Sequence, residues 1–344
     1  MTTKLPKLIA TSVVRGSQQG ESHGGVFTLD FERQIVEQRV DWNTSAINFD
    51  GRGADRGLRG ISFHDDRILI AASDELFSYN QDFEIQESWR NPYLNHCHEI
   101  CRRDHLVFLT STGYDSLLAF DLNQQAFVWG FHLQKQQGEW TGFTFDPRTD
   151  NGPRPRNQQH INMVHVDGNG IFVSGLKTEA LLHINANNKV TEVCNLPSGT
   201  HNARPFRGGI IFNDTASDCL RVVPRDDAQQ VFKIRTYDPA DILFAGIDDS
   251  KIARQGFGRG LCVIDDRFVA GGSSPSTITL YDLHSNQVVG SVNITMDIRN
   301  AIHGLAHWPF GKTNLNKKRP GFTRPFFVCC IICSANGEVS LRSV

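Results

Sequence analysis

The stretch HLVFLTSTGYDSLLAFDLNQQAFVWGFHL, residues 105–133, contains three short runs of β-branched, aromatic and other apolar residues separated by two turn sequences. Such runs, bounded by Gly, Asn, Asp and Ser, predict β-strands joined by tight turns. Similar stretches follow at residues 170–196, 209–234 and 267–294, and a shorter one lies at 67–89. The chain is therefore predicted to be mostly β-structure, built from a repeated unit of three strands.

One more short strand is predicted just upstream of each following repeat and at the end of the series. These segments begin at Arg56, His96, His160, His201, Arg259 and His303. A period of roughly 40 residues made of four strands is typical of a β-propeller, whose blades stack radially around a central channel. We predict an all-β, six-bladed propeller with four-stranded blades.

The blade boundaries follow from the repeats. Blades are predicted, within a single domain covering residues 1–344, near residues 7–43, 56–90, 96–134, 160–197, 201–236, 259–295 and 303–344. The first and last of these ranges share one blade, because the strand at 303–308 can complete the three strands near the start and close the ring between the termini. The alternative is a seventh, composite blade that uses residues 326–344.

Three loop insertions interrupt the repeats, and they are predicted at residues 135–157, 238–258 and 309–324. The first insertion carries Trp140, Phe143 and Phe145 and ends just before His160. We expect it to fold over the mouth of the channel, where its aromatic residues would exclude water.

Composition excludes several classes of partner. The chain has 35 Lys and Arg against 37 Asp and Glu, a net charge of −2, which argues against a nucleic-acid-binding protein. Its apolar runs are too short to span a membrane, and the first residues lack the apolar core of a signal peptide. We expect a cytoplasmic protein without a membrane span.

The first residues of the six upstream segments predict a site on the axis. Innermost strands converge there, so His96, His160, His201 and His303 would point at one another. Several imidazoles in one place are the ligands that Fe, Zn, Cu or Ni prefer. We predict that these four histidines hold a metal ion, with Fe(II) preferred because four neutral ligands leave positions open for dioxygen and substrate.

The two arginines in the same register predict a binding role. Arg56 and Arg259 cannot ligate a metal, but a guanidinium fork suits a carboxylate, sulfate or phosphate. His98 and Asn162 are expected one layer deeper than His96 and His160, because every second side chain of a strand faces the same way. His98 is on this basis a candidate general base.

These residues resemble two kinds of propeller enzyme. The quartet His96, His160, His201 and His303 is similar to the four histidines with which carotenoid cleavage oxygenases hold a non-haem iron. Arg56 and Arg259 beside histidines resemble the lyase of the peptide-amidating enzyme, a six-bladed propeller with a zinc held by three histidines. The first resemblance implies an iron oxygenase and the second a zinc-dependent lyase or hydrolase.

The sequence thus favours a mononuclear metalloenzyme, an iron oxygenase acting on a small anionic substrate. A zinc lyase or hydrolase is the alternative among enzymes. A propeller can also serve only as a scaffold for protein interactions, since fold alone does not give function.

Overall fold

The computed structural model describes residues 5–43, 57–245 and 254–311, together with the strands Cys329–Cys333 and Val339–Ser343. Its strands form six antiparallel sheets arranged as the blades of a propeller. Helical structure in these residues is limited to short 3-10 turns such as Thr112–Tyr114 and Pro239–Asp241. The structure therefore confirms the predicted all-β, six-bladed fold.

Each blade is named here by its order along the chain. Blade 1 contains β1 (Lys7–Val14), β2 (Gly24–Asp30) and β3 (Ile35–Asp41). Blade 2 contains β4 (Ile61–His64), β5 (Arg67–Ala71), β6 (Glu75–Tyr79) and β7 (Ile85–Arg90). Blade 3 contains β8 (Ile100–Arg103), β9 (Leu106–Ser111), β10 (Ser116–Asp121), β11 (Ala126–Gln136) and β12 (Glu139–Phe145).

The remaining blades repeat the same order. Blade 4 contains β13 (Ile161–Asp167), β14 (Gly170–Gly175), β15 (Ala180–Ile184) and β16 (Val190–Asn195). Blade 5 contains β17 (Thr200–Phe206), β18 (Gly209–Asp214), β19 (Cys219–Val223) and β20 (Gln230–Lys233). Blade 6 begins with β21 (Leu261–Val263), β22 (Phe268–Ser273), β23 (Thr277–Asp282) and β24 (Gln287–Asn293).

The ring closes between the two ends of the chain, as predicted. Strand β25 (Asn300–His307) pairs with β1 and becomes the innermost strand of blade 1. The last strands, β26 (Cys329–Cys333) and β27 (Val339–Ser343), extend blade 6 beyond β24. They do not form the seventh blade that the sequence left open.

The core is divided among the blade-to-blade contacts. In β10, Leu118 and Phe120 pack toward blade 2, whereas Leu117 and Ala119 pack toward blade 4. Successive residues of a strand face opposite sides of the sheet, so a strand between two neighbouring blades is apolar on both faces. Comparable buried clusters lie at the other blade contacts. This explains why the repeats show apolar runs without polar alternation.

The first insertion differs from its prediction. Glu139–Phe145 forms β12, a fifth strand at the outer edge of blade 3. Trp140 is buried there and its Nε1 donates to Glu192 Oε1 of blade 4 at 2.7 Å, while Phe145 packs against Tyr93. The expected aromatic cover over the channel mouth is wrong, because hairpin pairing with β11 places these rings far out on the blade.

Among the described residues, no helix has the length and apolar character needed to cross a membrane.

Candidate functional site

The entries to the innermost strands place polar side chains at one end of the channel. Arg59, His98 and Arg259 each stand two residues before the first residue of β4, β8 and β21. The backbone N–H of Arg59 donates to Ala71 O, and that of Arg259 donates to Gly272 O. This shared hydrogen bond shows that the two arginines occupy equivalent positions in blades 2 and 6.

Small residues let the inner strands approach each other closely. A Cβ at Gly60 would lie 2.5 Å from Ile100 N, and one at Gly304 would lie 2.1 Å from Arg59 O. Neither position has room for a side chain. The glycines that follow the axial residues therefore serve the packing of blades around the axis.

Imidazole rings from different blades meet at this end. The ring centroids of His98 and His160 are 5.2 Å apart, and those of His98 and His303 are 6.2 Å apart. Nη1 of Arg259 lies 3.1 Å from Nε2 of His303. Neighbouring contacts thus connect side chains of blades 1, 3, 4 and 6.

Hydrogen bonds fix the tautomers of His98 and of one further ring, His201 on the inner strand of blade 5. Nδ1 of His98 lies 2.7 Å from the carbonyl oxygen of His96, and Nδ1 of His201 lies 3.0 Å from that of Gly199. A carbonyl oxygen only accepts, so each Nδ1 carries the proton and each neutral ring has an unprotonated Nε2. Thr112 and Thr215 hydroxyls contact the same Nδ1 atoms at 2.8 and 3.0 Å.

Burial and nearby guanidinium groups keep the rings neutral. Burial, followed by Arg59, holds the pKa of His98 well below its ordinary value. Burial, followed by Arg259, does the same to the pKa of His201 and of His303, and lowers the pKa of His160 to about 4. At neutral pH these four imidazoles are uncharged bases.

Arginines gather around a single aromatic ring. The guanidinium carbons of Arg259, Arg15 and Arg254 lie 4.4, 4.6 and 5.0 Å from the centroid of Phe257. The His201 ring lies 6.0 Å from the same centroid. The end of the second insertion, residues 254–258, therefore contributes an aromatic face that attracts cations at the channel.

The charge around Arg259 is positive. Burial first, then Arg15 and Arg59, lower the pKa of Arg259 well below its ordinary value. No carboxylate of the described residues offsets this effect or forms an ion pair with Arg259. Its Nε is buried without a hydrogen-bond partner. An anion is the ligand that this environment favours.

A polar network lies beside the histidines. Glu99 Oε2 accepts from Nδ2 of Asn202 at 3.3 Å, and burial raises the pKa of the Glu99 carboxyl to about 7. Oδ1 of Asn202 accepts from the N–H of Gly260 and from Nδ2 of Asn213, both at 3.1 Å. These contacts join blades 3, 5 and 6 and orient the strand entries.

The predicted site residues are placed as follows. His160, His201 and His303 lie at the site with His98 and Arg259. The backbone carbonyl of His96 accepts a hydrogen bond from His98 and orients its ring. Burial is the main cause of the low pKa of His160, and His96 is a minor further cause. Arg56 lies outside the described residues. Their roles as ligands, base or anion contacts stay predictions.

Sequence reasoning missed Arg15, Arg59 and Phe257. Arg59 is followed by Gly60 and Ile61 as Arg259 is followed by Gly260 and Leu261, and this Arg-Gly-apolar pattern could have identified it. Nothing in the sequence around Arg15 or Phe257 indicated a position at the channel.

The donor set fits a transition metal in its chemistry but not in its arrangement. Unprotonated Nε2 atoms held by Nδ1–carbonyl hydrogen bonds are typical of histidine ligands. However, within residues 5–43, 57–245 and 254–311 no three His, Cys, Asp or Glu side chains are grouped so that they could hold an ion. Nε2 of His303, moreover, accepts from Arg259. The predicted four-histidine Fe(II) centre therefore finds no support in the geometry.

No protein-family model matches the sequence, and no curated protein sequence matches it. Among solved structures, the chain is similar to a nidogen–laminin complex, with a TM-score of 0.53, 8% identity and coverage of 87% of this chain and 97% of that one. It is also similar to a protein of unknown function from Bacteroides caccae, with a TM-score of 0.48, 9% identity and coverage of 88% and 98%.

Virginiamycin B lyase from Staphylococcus aureus is similar at a TM-score of 0.40 and 12% identity, over 73% of this chain and 95% of that one. At such low sequence identities, a TM-score above 0.5 indicates a common fold but does not indicate a common ligand. Similarities with TM-scores below 0.5 support neither conclusion. The resemblance to carotenoid cleavage oxygenases and to the amidating lyase gains no support here and stays a prediction.

Proposed function

We propose that the protein binds a small organic anion at the histidine- and arginine-lined end of its channel and acts on it with a neutral imidazole as base. The observation that carries this proposal is Arg259. Its guanidinium is partly buried, faces His303 and Phe257, and has no carboxylate partner among the described residues.

The roles of the side chains follow from their chemistry. Arg259 holds the anionic group, because its planar fork pairs with two oxygens at once. His98 is the candidate base, since its Nδ1 proton is fixed on a carbonyl and its Nε2 is unprotonated. A proton taken from the carbon or oxygen next to the anionic group would move to Nε2 of His98. The resulting imidazolium would be stabilised by the anion that Arg259 binds.

Calorimetric titration with acetate, phosphate, sulfate and carboxylates of three to six carbons tests the proposal. At least one anion should bind, and Arg259→Gln should weaken it about ten- to hundredfold, the effect of losing a charge-assisted hydrogen bond. Arg221→Gln is the matched control, because Arg221 on β19 pairs with Asp214 on β18. Absence of binding by every anion, or equal binding by R259Q, would overturn the proposal.

A metal centre is the second candidate, favoured by the Nδ1–carbonyl hydrogen bonds of His98 and His201. The residues that would hold such an ion are the four predicted from the sequence, His96, His160, His201 and His303. Elemental analysis of untagged protein decides: about one equivalent of iron or zinc that His201→Ala removes would establish the metal site. Anion binding by metal-free protein would support the first proposal.

A further inference from the structure

The channel end contains buried polar atoms that lack a hydrogen-bond partner. They are Nε2 of His201, Nε of Arg259, Oδ1 of Asn162 and Oδ1 of Asn213. Buried polar groups in proteins are almost always paired, so each such atom is a candidate contact for a bound molecule or water. Arg259 and His201 lie against the same ring, that of Phe257. One small molecule can therefore reach both.

The unpaired side of Arg259 specifies the anionic group. Nη1 of Arg259 donates to His303, so the guanidinium edge that carries Nε is the one that a ligand can pair with. That edge presents two parallel N–H groups, and it matches the two oxygens of a carboxylate.

The unpaired side of His201 specifies a different group. Its Nδ1 donates to Gly199 O, so Nε2 can only accept. An anionic oxygen cannot pair with a nitrogen lone pair, and the ligand must offer a proton there. A cationic donor is disfavoured, because the guanidinium groups of Arg259 and Arg15 lie around the same Phe257 ring as His201 and would repel a second positive charge. The donor is therefore a neutral hydroxyl or N–H.

Two more acceptors distinguish between these donors. Oδ1 of Asn162 and Oδ1 of Asn213 are also buried and unpaired, while the Nδ2 of each is bonded to neighbouring backbone or side-chain oxygens. A single amide N–H cannot serve three acceptors, whereas several hydroxyl groups can.

We infer that the ligand is a small polyhydroxylated carboxylate, whose carboxylate pairs with Arg259 and one of whose hydroxyls donates to Nε2 of His201. This inference rests on the proposed function, because it names the class of anion that the same site takes. It adds that neutral donors, and not charge alone, select the ligand.

Titration with gluconate and with hexanoate separates the two ideas, since both have six carbons and one negative charge. Gluconate should bind at least about tenfold more tightly, because hexanoate leaves the buried acceptors unpaired. Equal affinities would overturn the inference and leave the proposed function standing. If neither these acids nor any inorganic anion bound, the proposed function itself would fail.

The contact with His201 has its own test. His201→Phe removes the acceptor and keeps an aromatic ring beside Phe257, so the preference for gluconate should fall at least about threefold. His132→Phe is the matched control, because His132 is equally buried and its Nδ1 also bonds a carbonyl, that of Tyr114, but it lies on β11. A folded H201F protein with undiminished preference would overturn the assignment.

A second measurement needs no substitution. In protein labelled with ¹⁵N-histidine, the Nε2 resonance of His201 should move on addition of gluconate and not on addition of hexanoate, because only the first donates a hydrogen bond to it. An Nε2 resonance that ignores saturating gluconate would contradict the proposed contact even if H201F did not fold.

Discussion

Phe257 shows what one aromatic side chain does among like charges. Three guanidinium groups lie within 5.0 Å of its centroid. Burial, followed by the charge of Arg15, lowers the pKa of Arg259. The negative face of the ring offsets part of the repulsion among these guanidinium groups. Asp218 fixes the same segment, since it accepts from the N–H of Phe257 and from Arg254. Phe257 is thus a positioning residue for the arginines.

Phe257→Leu should weaken binding of a small carboxylate roughly five- to thirtyfold, the range that corresponds to losing a desolvated cation–π contact. Phe257→Tyr keeps the ring and should retain most of the affinity. Phe244→Leu is a matched control, because Arg299 lies 3.8 Å from the centroid of that exposed ring. Calorimetric titration of the three variants checks this, and unchanged affinity in F257L would contradict it.

His165 makes stability depend on pH. Burial and Arg204 lower its pKa to about 4, and its side chain is 25% exposed. An unfolded histidine has a pKa near 6.5, so the unfolded chain binds the proton first as pH falls, and stability is lost between about 6.5 and 4. His165→Gln should lose about 1 kcal/mol less free energy of unfolding than the parent between pH 7 and pH 5. Urea titrations at both pH values would contradict this if the losses were equal.

Residue patterns in the sequence identified histidines and an arginine that the structure brings to one end of the channel, but they did not fix the register of every inner strand. The segment RGLRGISF contains two arginines that precede a glycine, Arg56 and Arg59. The segment HCHEICRR contains two histidines, His96 and His98. Composition cannot choose between such neighbours. Strand pairing can, because Ile61 pairs with Ile70 and Ile100 with Leu109, and this fixes Arg59 and His98 two residues before their strands.

At the scale of elements, β12 shows that an outer strand of a blade can be mistaken in the sequence for a loop that covers the channel. The sequence QKQQGEW at residues 134–140 contains a turn around Gly138, whose φ of 91° favours glycine, and it was expected to begin a long loop. Instead, β11 continues to Gln136 and folds back on itself as a hairpin. Polar residues on an outermost strand face solvent, so their pattern resembles that of a loop. The position of this strand in the blade could not be predicted from composition.

Trp140→Ala should therefore destabilise the protein without changing the channel. Removing a buried tryptophan side chain costs about 3 kcal/mol, and Trp140→Phe, which loses mainly the bond to Glu192, should cost about 1 kcal/mol. Both variants should bind small carboxylates as the parent does. Thermal unfolding and calorimetric titration measure the two effects. Weakened anion binding by folded W140F would support the cover that the structure contradicts.

At the scale of the whole molecule, stability depends on a closed ring of blade contacts. Strand β25 is the only described strand that joins the end of the repeat series to β1, and it contributes the buried Ile302 and His303. The innermost strands of the two neighbouring blades, β4 of blade 2 and β21 of blade 6, both contact it. Ring closure and the site therefore depend on the same strand, because β25 completes blade 1 and carries His303, which contacts Arg259.

Two shortened chains test this coupling. A protein ending at residue 311 keeps β25 and, of the described strands, lacks only β26 and β27 at the outer edge of blade 6, so it should unfold cooperatively and bind anions. A protein ending at residue 299 also lacks β25, leaves β1 with an unpaired edge and exposes the faces that β25 covers. It should lose cooperative thermal unfolding and anion binding together. Comparable melting curves for the two chains would show that closure by β25 does not hold the ring, and retained binding by the shorter one would separate His303 from the site.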